Sequence, residues 1–188
     1  MRRMFIKSLS LLCLLLGVFV GCSSSHRQVN GGVPENTPRP TRVSSSDVVK
    51  VQTPGVAIPA GGEATATLTL SISSGFHVNA NPATFPYLIP TEVRHVVDPD
   101  EGLPLMGKPI YPVGIKKKFA FAEQPLAVYE GDVTIGLPLR LSSPGESYVV
   151  ISKGAHLSFP VDVRVQACDS EQCFPPATLN TTLAVDVK

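Results

Sequence analysis

The chain has 188 residues, 16 Lys and Arg against 15 Asp and Glu, and a formal net charge of +1. With 43% hydrophobic and only 16% charged residues it has the makeup of a folded domain and excludes a disordered polyelectrolyte. Lys116-Lys117-Lys118 is the one run of like charge, read as a solvated strand end, so no nucleic-acid partner is expected.

The N-terminus opens with Arg2, Arg3 and Lys7, followed by the run Leu9 to Val20, apolar except for Ser10. About a dozen apolar residues is too short to span a bilayer, which takes roughly 20. The layout predicts a secretory signal peptide over residues 1–21. Its exit, Phe19-Val20-Gly21-Cys22, resembles the lipobox of bacterial lipoproteins, although Phe19 stands where that motif usually has Leu. The resemblance implies that Cys22 is lipidated and becomes the first residue of a membrane-anchored protein. Ser23 does not resemble an inner-membrane retention signal, so the expected address is a periplasm-facing site on the outer membrane. Removal of the signal leaves 13 basic against 15 acidic residues, a net −2.

Residues 22–47 comprise the lipidated cysteine and a linker rich in Ser, Asn, Gly, Pro, Thr and Arg. Val29, Val33 and Val43 are its apolar anchors. Such a segment buries too little to offset its ordering entropy, and its expected task is spacing. From Val48 to Lys188 the chain is long enough for one core.

That part reads as all-β. Ala64 to Ile72 alternates small or apolar residues with polar ones at period two, as a half-buried strand does. Further strands are expected at Gly75 to Asn79, Thr91 to Val97, Lys117 to Ala122 and Asp132 to Leu141. Three more are expected at Tyr148 to Ser152, Val161 to Ala167 and Thr178 to Val187. Turn-forming Pro, Gly, Asn and Asp clusters separate them, and 18 prolines oppose long helices. The pattern suggests a sandwich or a barrel.

Of four cysteines, Cys13 leaves with the signal and Cys22 takes lipid, so Cys168 and Cys173 remain. In an oxidising compartment such a pair is expected to form a disulfide. A tight turn over four intervening residues brings two Cα atoms within the roughly 4.4–6.8 Å that a disulfide needs. The spacing is neither the Cys-x-x-Cys of a thioredoxin nor a zinc site, since the four histidines lie at no ligand spacing; no metal or other cofactor is expected. Closing so small a loop stabilises by only about 2 kcal/mol on the chain-entropy model. A local staple and a redox pair are both open on this ground.

The stretch Ala167-Cys168-Asp169-Ser170-Glu171-Gln172-Cys173-Phe174-Pro175-Pro176 resembles the cysteine hairpin in the N-terminal periplasmic domain of the DsbD thiol:disulfide interchange family. Gly75-Phe76-His77-Val78-Asn79-Ala80-Asn81-Pro82, Pro86-Tyr87-Leu88-Ile89-Pro90 and Pro125-Leu126-Ala127-Val128-Tyr129-Glu130-Gly131 resemble other blocks of that domain, in the same order. The resemblance covers residues 48–188. It implies an immunoglobulin-like β-sandwich whose Cys168/Cys173 pair carries electrons to or from thioredoxin-fold periplasmic partners. The family's membrane and thioredoxin-like domains are not in this sequence, so a separate membrane electron donor is expected.

The resemblance also implies a loop with an aromatic tip that shields the disulfide, placed here around Phe121, with Glu123 and Gln124 as its exposed turn. Phe119 and Phe121 are expected on one face of a strand. His77 and Asn79 fall where some family members have tyrosines near the cysteines; they are also ordinary strand residues. Asp169 and Glu171 flank the thiols, and negative charge there disfavours a thiolate. That suits a carrier attacked by its partner better than an attacking enzyme. His95 and His156 are read as surface or satisfied core histidines. The competing reading is a non-redox binding or envelope-assembly lipoprotein with a structural disulfide, because sandwiches host all these functions.

Overall fold

The computed structural model describes residues 43–95, 105–141 and 151–188. The expected signal peptide, Cys22, most of the linker, and residues 96–97 and 148–150 of two expected strands lie outside the described residues.

The protein is an all-β, immunoglobulin-like sandwich with a third small sheet. The first sheet has the order β1-β3-β9-β6, from Val49–Gln52 (β1), Glu63–Ile72 (β3), Asp132–Arg140 (β9) and Leu105–Met106 (β6). The second runs β2-β12-β10-β5, from Val56–Ile58 (β2), Ala177–Val187 (β12), His156–Val165 (β10) and Glu92–His95 (β5). The third runs β11-β4-β8-β7, from Ala167–Cys168 (β11), His77–Asn79 (β4), Leu126–Tyr129 (β8) and Ile115–Lys117 (β7). A single turn of helix, α1 (Ser45–Val48), precedes β1. Pairing is antiparallel except between β12 and β2. No helix among the described residues is long and apolar enough to cross a membrane.

Period-two alternation builds the main core. β3 turns Ala66, Leu68, Leu70 and Ile72 inward, and β9 adds Val133, Ile135, Leu137 and Leu139. From the second sheet come Phe159, Val161, Val163 and Val165 of β10 and Leu183, Val185 and Val187 of β12. The ten-residue β10–β12 ladder and the nine-residue β3–β9 ladder lock the register of both layers.

The third sheet, apart from its exposed edge strand β7, has both faces covered. Its strands send Ala167, Val78 and Tyr129 into the main core. Leu126 and Val128 lie on the opposite face, in a satellite cluster with Phe119, against which Phe85, Leu88 and Ala122 pack. Because side chains alternate along each strand, Cys168, His77 and Asn79 share that second face.

One expectation needs correction. The strand expected over Lys117 to Ala122 stops at Lys117, and the chain turns so that the Ala122 N–H donates to the Phe119 carbonyl at 3.2 Å. The Lys118 ammonium donates to the Ala122 carbonyl at 2.8 Å and also to the Glu123 carbonyl, drawing this turn closed. α1 lies just ahead of the strands and packs into the domain. Ser45 is fully buried, and the Ser44 N–H donates to the Asp47 carboxylate at 2.7 Å, which fixes the start of α1.

Candidate functional site: a hairpin disulfide on the third sheet

Cys168 and Cys173 are antiparallel bridge partners joined by a disulfide, with Cα atoms 3.9 Å apart. This is closer than the spacing expected from sequence. The ladder gives the reason: the Phe174 N–H donates to the Ala167 carbonyl at 2.8 Å on one side of the pair. On the other, the Asp169 N–H donates to the Gln172 carbonyl at 2.9 Å. The cysteines therefore occupy a non-hydrogen-bonded position, where opposed residues approach most closely.

The two sulfurs differ in environment. Cys168 lies on β11 and is 1% exposed, whereas Cys173 lies on the returning arm and is exposed. The intervening loop is organised by Asp169. Its Oδ1 accepts the N–H groups of Glu171 and Gln172, each at 2.8 Å. Those two bonds hold its carboxyl below the usual carboxylate range. The charge expected to repel a thiolate is thus engaged with the turn's own amides, while Glu171 remains exposed.

Residues distant in sequence brace the hairpin. The Ser45 hydroxyl donates to the Pro175 carbonyl at 2.7 Å and accepts the Ala167 N–H at 2.9 Å. Phe174 packs a tilted ring on Phe76 at 5.7 Å, and its carbonyl accepts from the Gln166 side chain at 3.2 Å. Nothing in the linker composition distinguished Ser45 from its serine neighbours. A hydrogen-bonded buried serine is visible only once the chain is folded.

Beside the buried sulfur, His77 stands opposite Cys168 in the β11–β4 register and is 2% exposed. Its ring stacks on Phe119 at 4.1 Å and 20°. Burial pushes its pKa below the ordinary 6.5. Asn79, also buried, has a structural task here. Its Nδ2 donates to the Ile89 carbonyl at 3.0 Å, and its own carbonyl accepts both the N–H and the hydroxyl of Thr91. With the Thr84 hydroxyl accepting the Ala127 N–H at 2.7 Å, these bonds fasten the 80–91 segment to the sheet.

The aromatic ring against His77 is Phe119, not Phe121. Phe119 is 5% exposed, and Phe121 stacks outside it at 5.3 Å and is 46% exposed. Phe121, Glu123 and Gln124 line a groove of about 440 Å³ with Phe85, Tyr87 and Leu88. The basic run is exposed at the end of β7, as expected. Lys117 pairs with Glu130 at 2.5 Å and lies 5.8 Å from the Phe119 ring centroid. His156 is exposed as expected and pairs with Asp186 at 2.6 Å. His95 departs from expectation: its Nε2 is buried without a partner. Among the described residues no three His, Cys, Asp or Glu side chains gather into a set able to hold a metal ion.

Fold and site together define an all-β sandwich domain that carries one hairpin disulfide between a buried and an exposed cysteine. No family model and no curated protein sequence matches the chain. Among solved structures it is similar to the N-terminal domain of Neisseria meningitidis DsbD in its reduced form. The identity there is 12%, over 76% of this chain and 89% of that one, with a TM-score of 0.44. It is also similar to the CssB subunit of enterotoxigenic Escherichia coli colonization factor CS6, complemented with a donor strand from CssA. That identity is 16%, over 76% of this chain and 99% of the other, with a TM-score of 0.38.

Proposed function

We propose that this protein is a thiol–disulfide exchange carrier of the cell envelope, anchored through lipid on Cys22, with Cys168 and Cys173 as its redox pair. The observation that carries the reading is the unequal exposure of the two cysteines, Cys168 buried and Cys173 exposed. A thiolate of a thioredoxin-fold partner reaches Cys173 Sγ from solvent. The S–S bond to Cys168 breaks as the bond to the partner forms, and Cys168 leaves with the electron pair. The partner's second thiolate then attacks its own sulfur in the mixed disulfide and releases Cys173. The pair is thereby reduced by two electrons and the partner oxidised. The same steps in reverse reduce a downstream partner's disulfide, so a separate membrane donor on one side and a periplasmic acceptor on the other complete the relay.

The ordered resemblance of three further sequence blocks to the interchange family supports the same reading. The experiment is partner trapping. Cys168→Ser leaves Cys173 as the exposed thiol and is expected to accumulate mixed disulfides with thioredoxin-fold proteins, whereas Cys173→Ser, with only a buried thiol, accumulates fewer. If neither variant traps a partner, and the pair's reduction potential lies well below about −300 mV, the disulfide is a structural staple. The anchor is tested separately: Cys22→Ser is expected to move the protein from the membrane to the soluble fraction.

A further inference from the structure

The imidazole of His77 has no part in the exchange steps above, yet its placement is costly without one. Directly opposed residues of an antiparallel pair project their side chains from the same face, with Cβ atoms about 4.5–5.5 Å apart. His77 and Cys168 are such a pair, and both are buried. Phe119 stacks on the imidazole, and its Nε2 is sealed from solvent without a hydrogen-bond partner. A buried polar atom left unpaired is destabilising, and a redox or catalytic role is one reason a native structure keeps such an atom. The charged groups around the ring are Lys117 of β7, Glu130 just beyond β8 and Asp169 in the hairpin. Glu130 and Asp169 favour the imidazolium and Lys117 opposes it, but burial outweighs them. The resting ring is therefore neutral near pH 7, and a proton it takes is held together with the negative charge left beside it.

Resting on the exchange reading, we infer that His77 is the internal proton acceptor for Cys168. With Cys173 in a mixed disulfide, the Cys168 S–H gives its proton to the imidazole. The resulting thiolate attacks Cys173 Sγ, the Cys168–Cys173 bond forms, and the bond from Cys173 to the partner sulfur breaks. The partner departs as a thiolate with the electron pair and takes the proton from the imidazolium. Activation of a buried thiol by an adjacent base replaces the ionisation that burial itself opposes.

The test uses the full chain with Cys13→Ser and Cys22→Ser, reduced and mixed with one equivalent of an aromatic disulfide that releases a coloured thiolate. The first release reports attack by the exposed Cys173, and the second reports closure by Cys168. With an internal base, the closure rate stays level between about pH 6.5 and 8, because the imidazole remains deprotonated there. His77→Gln and His77→Phe, the latter keeping a ring against Phe119, are expected to lose that plateau. Their closure should slow by about tenfold per pH unit on the acid side, as attack then tracks the thiolate fraction, while the first release is unchanged. A wild-type closure rate that already falls in this way would overturn the assignment, even if both variants failed to fold. So would a plateau that survives in a folded variant. Failure of the exchange reading looks different: Cys168→Ser then traps no partner, whatever the small disulfide reports.

Discussion

Asp169 and Gln172 clamp each other across the loop between the cysteines: the Asp169 N–H donates to the Gln172 carbonyl at 2.9 Å, and the Asp169 carboxylate accepts the Gln172 N–H at 2.8 Å. The clamp sets the two arms of the hairpin so that Cys168 and Cys173 meet, and its side-chain half is strongest while the carboxyl is ionised. Its folded pKa is depressed, so the contribution is present above the unfolded value and is lost as pH falls through the folded one. The Glu171 and Gln172 amide resonances are expected to titrate together with a midpoint below the ordinary 3.8. Asp169→Ala should abolish that titration and speed hydrogen exchange at Gln172, and a midpoint at or above 3.8 would contradict the clamp.

Ser45 should matter more than a serine at the edge of a linker ordinarily does. Its removal leaves the Ala167 N–H, one residue from the buried cysteine, without its side-chain acceptor. Leaving a buried donor unsatisfied costs about 1–3 kcal/mol. Ser45→Ala is expected to lower the unfolding free energy from chemical denaturation by about that amount and to speed exchange of the Ala167 amide selectively. Wild-type stability in this variant would show that the brace is dispensable.

The two phenylalanines of the 119–122 turn should separate cleanly. Phe119 is enclosed between His77 and the satellite cluster, and Phe119→Ala is expected to cost about 3–5 kcal/mol. It should also speed alkylation of the reduced cysteines, because His77 loses its cover. Phe121 is half in solvent, and Phe121→Ala is expected to change stability by no more than about 0.5 kcal/mol. Chemical denaturation alongside alkylation with iodoacetamide checks both, and a large loss in Phe121→Ala would reverse the assignment.

Acid should destabilise the domain through its buried histidines. His77 and His95 each bury a ring nitrogen without a partner, and burial pushes both pKa values below 6.5. The unfolded chain then binds more protons than the folded one between the two sets of values. Stability is full above about pH 6.5 and declines as pH falls through the unfolded value toward the lower folded ones. Melting temperatures from about pH 7.5 down to about pH 5 are expected to fall, and the slope should flatten in a His77→Gln, His95→Gln double variant. A Tm independent of pH over that window would mean that neither ring resists protonation.

Much of the architecture was legible from residue order, because strand periodicity is local. The alternation from Ala64 to Ile72 and the run from Asp132 onward place β3 and β9, and the resemblance carried by Cys168-Asp169-Ser170-Glu171-Gln172-Cys173 pointed to the hairpin that the fold contains. The shorter β1, β2 and β8 were not read as strands, since three or four residues carry too little periodicity. Phe119 and Phe121 look like strand alternation, but their backbone turns because Lys118 reaches the Ala122 and Glu123 carbonyls. What only the tertiary structure decided is the surroundings of Cys168. Ser45 bonds its neighbour Ala167, His77 opposes it in the strand register, and Phe119 stacks on His77, three residues from separate stretches of chain. Those contacts depend on long-range pairing that no local pattern encodes, and it is this pairing that buries Cys168 while leaving Cys173 exposed.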